Sequence, residues 1–237
     1  MRPRLSLLSN LQRLIERSYD WSTGIEDLGP FLVGDEGYRL LYQGKEIEEE
    51  LPGADPSART LVSWRGSKIR LGVYYPDALV LHLERQNPVR QLDDENIGAF
   101  AVLVEELDHL LMLAWCARNE RGVGLLELEF HANLTKYMVL SHFLARLTRR
   151  PRLAPGQRRW ILHHLFHGAG EDLPPPFRHR YKTAARLAMR FISHLDSVAA
   201  EERVRGLRRL ARRSWGAQRS ALESPDPLGG LGLLLAG

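Results

Sequence analysis

The chain reads as an α+β protein, mainly α, with a small antiparallel β-sheet unit carrying two helices near its start and a helical bundle after it. Three observations predict this. Apolar residues recur at helical spacing over residues 5–19 and over almost everything beyond about residue 93. Between those stretches the period falls to two: in KIRLGVYY, Ile69, Leu71 and Val73 alternate with Lys68, Arg70 and Gly72. Gly and Pro then punctuate the chain at Gly24, Gly29-Pro30, Pro88, Gly122 and Gly124.

The elements follow in order. Leu5, Leu7, Leu8, Leu11, Leu14 and Ile15 line one side of a first helix over 5–19. YRLLYQ (38–43), TLVSW (60–64) and KIRLGVYY (68–75) are rich in β-branched and aromatic residues and read as strands. Arg65-Gly66-Ser67 has the length and the glycine of a hairpin turn. KEIEEELPGADPSA between the first two strands is acidic and Pro/Gly-punctuated, so it reads as an exposed loop. A short helix, DALVLHLERQ, follows Pro76, with Asp77 placed to accept an orphan backbone N–H as its N-cap.

A long helix begins at a cap of Asp93 or Asp94 and runs to about Arg118; a second runs from Leu125 to Leu147. ARLTRRPRLAPGQ is a basic connector into a short helix, RRWILHHLFH, and GAGEDLPPP is a turn. Helices over 177–197 and about 200–220 complete the bundle. The expected organisation is an α+β unit over 1–92, the bundle over 93–222, and a flexible Gly/Pro-rich tail over 223–237.

Composition narrows the function. At 237 residues, with 44% hydrophobic and 26% charged residues, the chain can bury a real core. The single cysteine, Cys116, excludes an internal disulfide and a multi-cysteine metal site. The apolar run after Arg4 is soon broken by Gln12, Arg13 and Glu16, with no small-residue cleavage site behind it, so a cytoplasmic location is expected. No uncharged run approaches the roughly 18 residues of a spanning helix.

The net charge of +4 is unevenly spread. Residues 1–100 hold 12 Lys/Arg against 16 Asp/Glu, and the rest hold 21 against 13. A basic C-terminal half predicts an acidic partner, either a protein surface or nucleic acid. The candidate contacts are Arg205, Arg208, Arg209 and Arg212, which share one face of the last helix, and Arg149 and Arg150 in the connector. A homo-oligomer that pairs this face with the acidic N-terminal unit is the competing use of the same charges.

The segment FAVLVEELDHLLMLAW (100–115) poses the sharper question. Its apolar residues go around the whole cylinder, yet Glu105, Glu106, Asp108 and His109 interrupt it. Buried charges must be paired, neutralised or given a metal. The next helix, in antiparallel register, offers Glu127, Glu129, His131 and Lys136. One expectation is a register-fixing polar network among Glu105, Glu106, His109, Glu129 and Lys136, joined by Asp108 and Glu127, with His131 and Lys136 reaching Glu106 or Asp108.

The other expectation is a divalent-metal site drawn from Glu105, Glu106, His109, Glu129 and His131. Glu106 and His109, three apart, have the spacing of one half of a di-metal bundle centre. The second helix instead sets Glu127 and His131 four apart, so such a centre would be incomplete. His163 and His167 also share a helical face, but His164 occupies the position where a metalloprotease needs its glutamate base.

Two functions follow. The first is a non-enzymatic interaction or adaptor protein with no cofactor, whose basic half binds an acidic partner. The alternative is a metal-dependent hydrolase or oxidase with its site between helices 93–118 and 125–147.

Overall fold

The computed structural model describes residues 6–42, 58–66, 68–168, 171, 173–198 and 200–224. The mainly helical α+β class holds. Helix α1 (Leu7–Tyr19) starts at Ser6, whose hydroxyl accepts from the Ser9 amide at 3.2 Å, and ends at Asp20 in the left-handed conformation. It buries Leu11, Ile15 and Tyr19. A 3-10 turn (Gly29–Phe31) leads into β1 (Leu32–Val33) and then α2 (Asp35–Tyr42).

Strands β2 (Arg59–Arg65) and β3 (Lys68–Tyr74) form the expected antiparallel hairpin, with Thr60 opposite Val73 and Arg65 opposite Lys68. Gly66 takes a φ of +61° at its turn, where a side chain would be strained. The third strand differs from expectation. Residues 38–42 are not a strand, because they belong to α2, while Gln43 lies outside the described residues; β1 pairs with β3 in parallel instead.

The physical reason lies in Asp35 and Glu36, which favour a helix N-terminus. The following run also has too little to bury: Leu40 and Leu41 stay 62% and 55% exposed. Of its aromatics Tyr38 is buried, stacked on Tyr74 at 4.1 Å. Among the described residues before residue 92 there are therefore three α-helices rather than two.

Helix α3 (Asp77–Arg85) follows Pro76, which is its N-cap; Asp77 is the first helical residue rather than the cap. Its carboxylate turns to the N-terminus of α2, accepting from the Asp35 amide at 3.5 Å, while Asp35 accepts from the Asp77 amide at 3.3 Å. Helix α4 (Ile97–Arg118) starts after Asn96, not after Asp93 or Asp94. Asn96 is buried and donates to the carbonyls of Gln86 and Gln91, so it fixes the entry to the helix. Asp94 is taken up by Trp160 and His164 instead, at 2.6 and 2.9 Å.

The bundle continues with α5 (Leu125–Leu147), α6 (Pro155–Phe166), α7 (Pro175–Ser197), α8 (Ala200–Arg212) and α9 (Trp215–Glu223). The expected single helix over 200–220 is two, because Ser214 adopts an extended backbone and its hydroxyl accepts from the Ala217 amide, starting a new helix. The acidic loop of residues 45–57, part of the turn at 168–176, and the tail beyond Ser224 lie outside the described residues.

Helix α4 sits at the centre. It packs on the sheet through β2 and β3, on α5, and on α1. Helix α5 lies between α4 and α7, and α8 closes over α1 and α7. The buried hydrophobic cluster runs from Leu11 and Ile15 through Leu107, Leu111, Leu140 and Phe191 to Leu222. No described helix is long and apolar enough to cross a membrane.

Candidate functional site

Helices α4 and α5 are joined by six residues and meet antiparallel: Asp108 faces His131 and Thr135, and Glu105 faces Lys136. Helical spacing divides the polar residues of α4 into two groups, with Asp108 bonded to His131 and Thr135 of α5 beside Tyr19 of α1, and Glu105, Glu106 and His109 gathered with residues of α5, α7 and β2.

The first group is closed and dry. Asp108, fully buried, accepts from the Thr135 hydroxyl at 2.7 Å, and its other oxygen lies 2.8 Å from His131 Nδ1. Tyr19 of α1 meets Thr135 at 3.0 Å. The imidazole of His131 stacks on Trp21 at 4.6 Å and tilts against Tyr19 at 4.1 Å, while Trp21 stacks in turn on Trp115 at 5.0 Å. Burial, reinforced by the Asp108 charge, raises the Tyr19 hydroxyl well above its usual range.

The second group is less enclosed and gathers residues from four elements. Glu105 accepts from Lys136 at 2.6 Å. Glu106 accepts from the Thr60 hydroxyl of β2 at 2.8 Å, and its carboxylate stands 3.6 Å from His109 Nδ1. Glu129 is 6% exposed and lies 3.7 Å from the Arg180 guanidinium of α7. One donor atom from each of Glu105, His109 and Glu129 lies within 4.8 Å of the others. Three buried atoms here, His109 Nε2, Glu129 Oε2 and Arg180 Nε, have no hydrogen-bond partner.

The electrostatics follow from this crowding. Burial disfavours the charged form of His109, but Glu106, Glu105 and Glu129 overcome it and raise the imidazole to about 9. Burial raises Glu129, offset only in part by His109, Arg180 and Lys136. Glu105 is also pushed up by burial, yet Lys136 and His109 bring it below its usual value. Tyr181 of α7 is raised by burial and by the charges of Glu129, Glu105 and Glu106. Three carboxylates thus face Lys136, Arg180 and an imidazole that takes up a proton readily.

The sequence-predicted residues therefore divide. Glu105, His109 and Glu129 come together; Glu106 stands behind His109, on its Nδ1 side; His131 and Asp108 belong to the Tyr19 group. Lys136 pairs with Glu105 rather than with Glu106 or Asp108. Glu127 lies toward the start of α5, bonded to Arg121; burial raises its carboxyl, with Arg121 the main opposing influence. Cys116 is buried, its thiol raised to about 11 by that burial.

Sequence reasoning missed Thr60, Arg180, Tyr181, Tyr19 and Trp21. Tyr181 falls at helical spacing with Ala184, Ala188, Phe191, Ile192 and Leu195, an apolar stripe that marks a packed face but not a site; nothing local marks Thr60. At the end of α6, His163 and the C-cap His167 stack at 4.6 Å, and among the described residues no third ligand completes a metal set there.

The basic clusters also separate. On α8, Arg208 donates to the Arg17 carbonyl at 2.8 Å and Arg212 pairs with Asp20 at 2.6 Å, so both tie α8 to the end of α1. Arg205 pairs with Glu202 at 2.6 Å. Arg209 is part-buried, with no ion pair among the described residues. In the connector, Arg149 and Arg150 are exposed, and among the described residues neither has an acidic partner.

Comparison of the chain with protein-family models, with curated proteins and with solved structures found no match in any of the three.

Proposed function

We propose that the protein binds one divalent cation between α4 and α5 through Glu105, His109 and Glu129, and uses it as a metal-dependent hydrolase or oxidase. One observation carries this reading: His109 Nε2 and Glu129 Oε2 are buried without partners within a trio whose donor atoms lie within 4.8 Å. Unsatisfied buried polar atoms are costly and call for an explanation, an ion among them. Glu106 supports the reading from behind. A carboxylate at the far ring nitrogen is the usual means of orienting a metal-binding imidazole, and Thr60 holds that carboxylate in turn.

A carboxylate and imidazole donor set without thiolate suits manganese, ferrous iron or zinc. Three protein ligands leave room for water, whose activation is what such an ion supplies. Lys136 and Arg180 compensate the carboxylates at the rim. Isothermal titration of chelator-treated protein with Mn²⁺ and with Zn²⁺ tests the site. One-to-one binding by the natural chain, lost in Glu129→Gln and kept in His131→Gln, is expected. Absence of binding, or equal loss in both variants, overturns it.

A second reading, the non-enzymatic adaptor, is favoured by the exposed Arg149 and Arg150, which have no acidic partner among the described residues. On this reading the connector, more than α8, engages an acidic protein surface or nucleic acid in the cytoplasm, where the buried thiol of Cys116 stays reduced. Retention on heparin that drops sharply in Arg149→Glu/Arg150→Glu, but little in Arg205→Glu, is the expected outcome. The reverse pattern contradicts it.

A further inference from the structure

A separate cavity of about 400 Å³ lies between α5, the α5–α6 connector, α7 and α8. Its walls are apolar, from Leu134, Met138, Leu153, Ile192, Leu195 and Leu207, and its charges are three guanidiniums, Arg152, Arg158 and Arg203, against one carboxylate, Asp196. That carboxylate is already committed. It accepts from the Tyr137 hydroxyl at 2.9 and 3.0 Å and from Arg158. Burial and the Asp196 charge accordingly raise Tyr137 to about 12.

Arg203 is held by the carbonyls of Val198 and Asp196, which orient its guanidinium without neutralising it. Arg152, exposed beside the cavity, makes no hydrogen bond or ion pair among the described residues. The Ser141 hydroxyl also lines the cavity and is shielded from solvent without a partner. The cavity thus combines greasy walls, surplus positive charge and an unsatisfied hydroxyl.

We infer that this cavity binds a small amphipathic carboxylate, with the apolar body against Leu134, Ile192 and Leu195 and the carboxylate at Arg152 and Arg203. The volume lies within the range of small-ligand sites, and a few polar groups on an apolar lining are their usual composition. Arginine suits the head group because its planar fork bonds a carboxylate with two parallel hydrogen bonds. An extended polyanion fits poorly, since its charged backbone would have to enter apolar walls. The inference stands independently of the metal site.

Calorimetric titration of the full chain with octanoate, and with octanol as the uncharged probe, tests it. Octanoate is expected to bind below millimolar concentration and octanol at least about tenfold more weakly, the difference that a charge-assisted hydrogen bond makes. Arg152→Glu should weaken octanoate by about tenfold or more, with Arg159→Glu, an exposed arginine outside the cavity lining, as the unaffected control. Ala145→Phe, which fills the cavity, should abolish binding. No octanoate binding, equal binding of the two probes, or unchanged affinity in either cavity variant overturns the inference.

Discussion

Asp108 is the residue on which the seam between α4 and α5 depends most. Its two oxygens serve Thr135 and His131, and no water reaches them. Asp108→Ala leaves His131 Nδ1 buried without its partner and Thr135 with Tyr19 alone, and a loss of roughly 3 kcal/mol in urea unfolding is expected. His109 gives a pH signature. Its folded-state pKa of about 9 lies above the ordinary value of 6.5, so its proton is held more tightly in the folded chain. The stabilisation it brings is complete below about pH 6.5 and disappears as pH rises through 9. Chelator-treated protein should therefore lose stability over that window, and His109→Gln should flatten the profile. An unchanged slope in the variant would assign the effect to another group.

Among the elements, α8 shows which interactions hold the bundle and which decorate it. Leu210 is buried against the core, whereas the Arg212 to Asp20 pair is exposed. Leu210→Ala is expected to cost about 2–5 kcal/mol and Arg212→Ala under about 1 kcal/mol, both by denaturant unfolding. Equal effects would mean that the surface pair, not the apolar face, docks α8 on α1.

The same contrast explains what was legible in the sequence. Long periodic runs such as 125–147 declared themselves because an apolar face has only one way to be buried. YRLLYQ misled because its aromatics suit a strand; the acidic pair Asp35-Glu36 before it is a local sign of a helix start, whereas the exposure of Leu40 and Leu41 was decided by tertiary contacts. The break at Ser214 was likewise invisible to periodicity, since both flanking segments are amphipathic. The two-residue strand β1 is too short to carry any pattern.

At the scale of the whole molecule, α4 explains its own composition. A helix covered by α1, α5 and the sheet needs apolar residues on every side, and its ionisable groups survive there because α5 and β2 supply their partners. The antiparallel seam was readable from the short link between α4 and α5. Its division into a closed group around Asp108 and a second group around His109 was not, because Tyr19, Thr60 and Arg180 arrive from distant parts of the chain. The central claim is that the second group holds an ion. Metal content by mass spectrometry, on untagged protein purified without chelator or added metal, tests this most directly. One equivalent of a first-row divalent metal per chain, absent from folded Glu129→Gln, is predicted. A natural chain free of metal, or a variant that retains the full equivalent, would contradict the account.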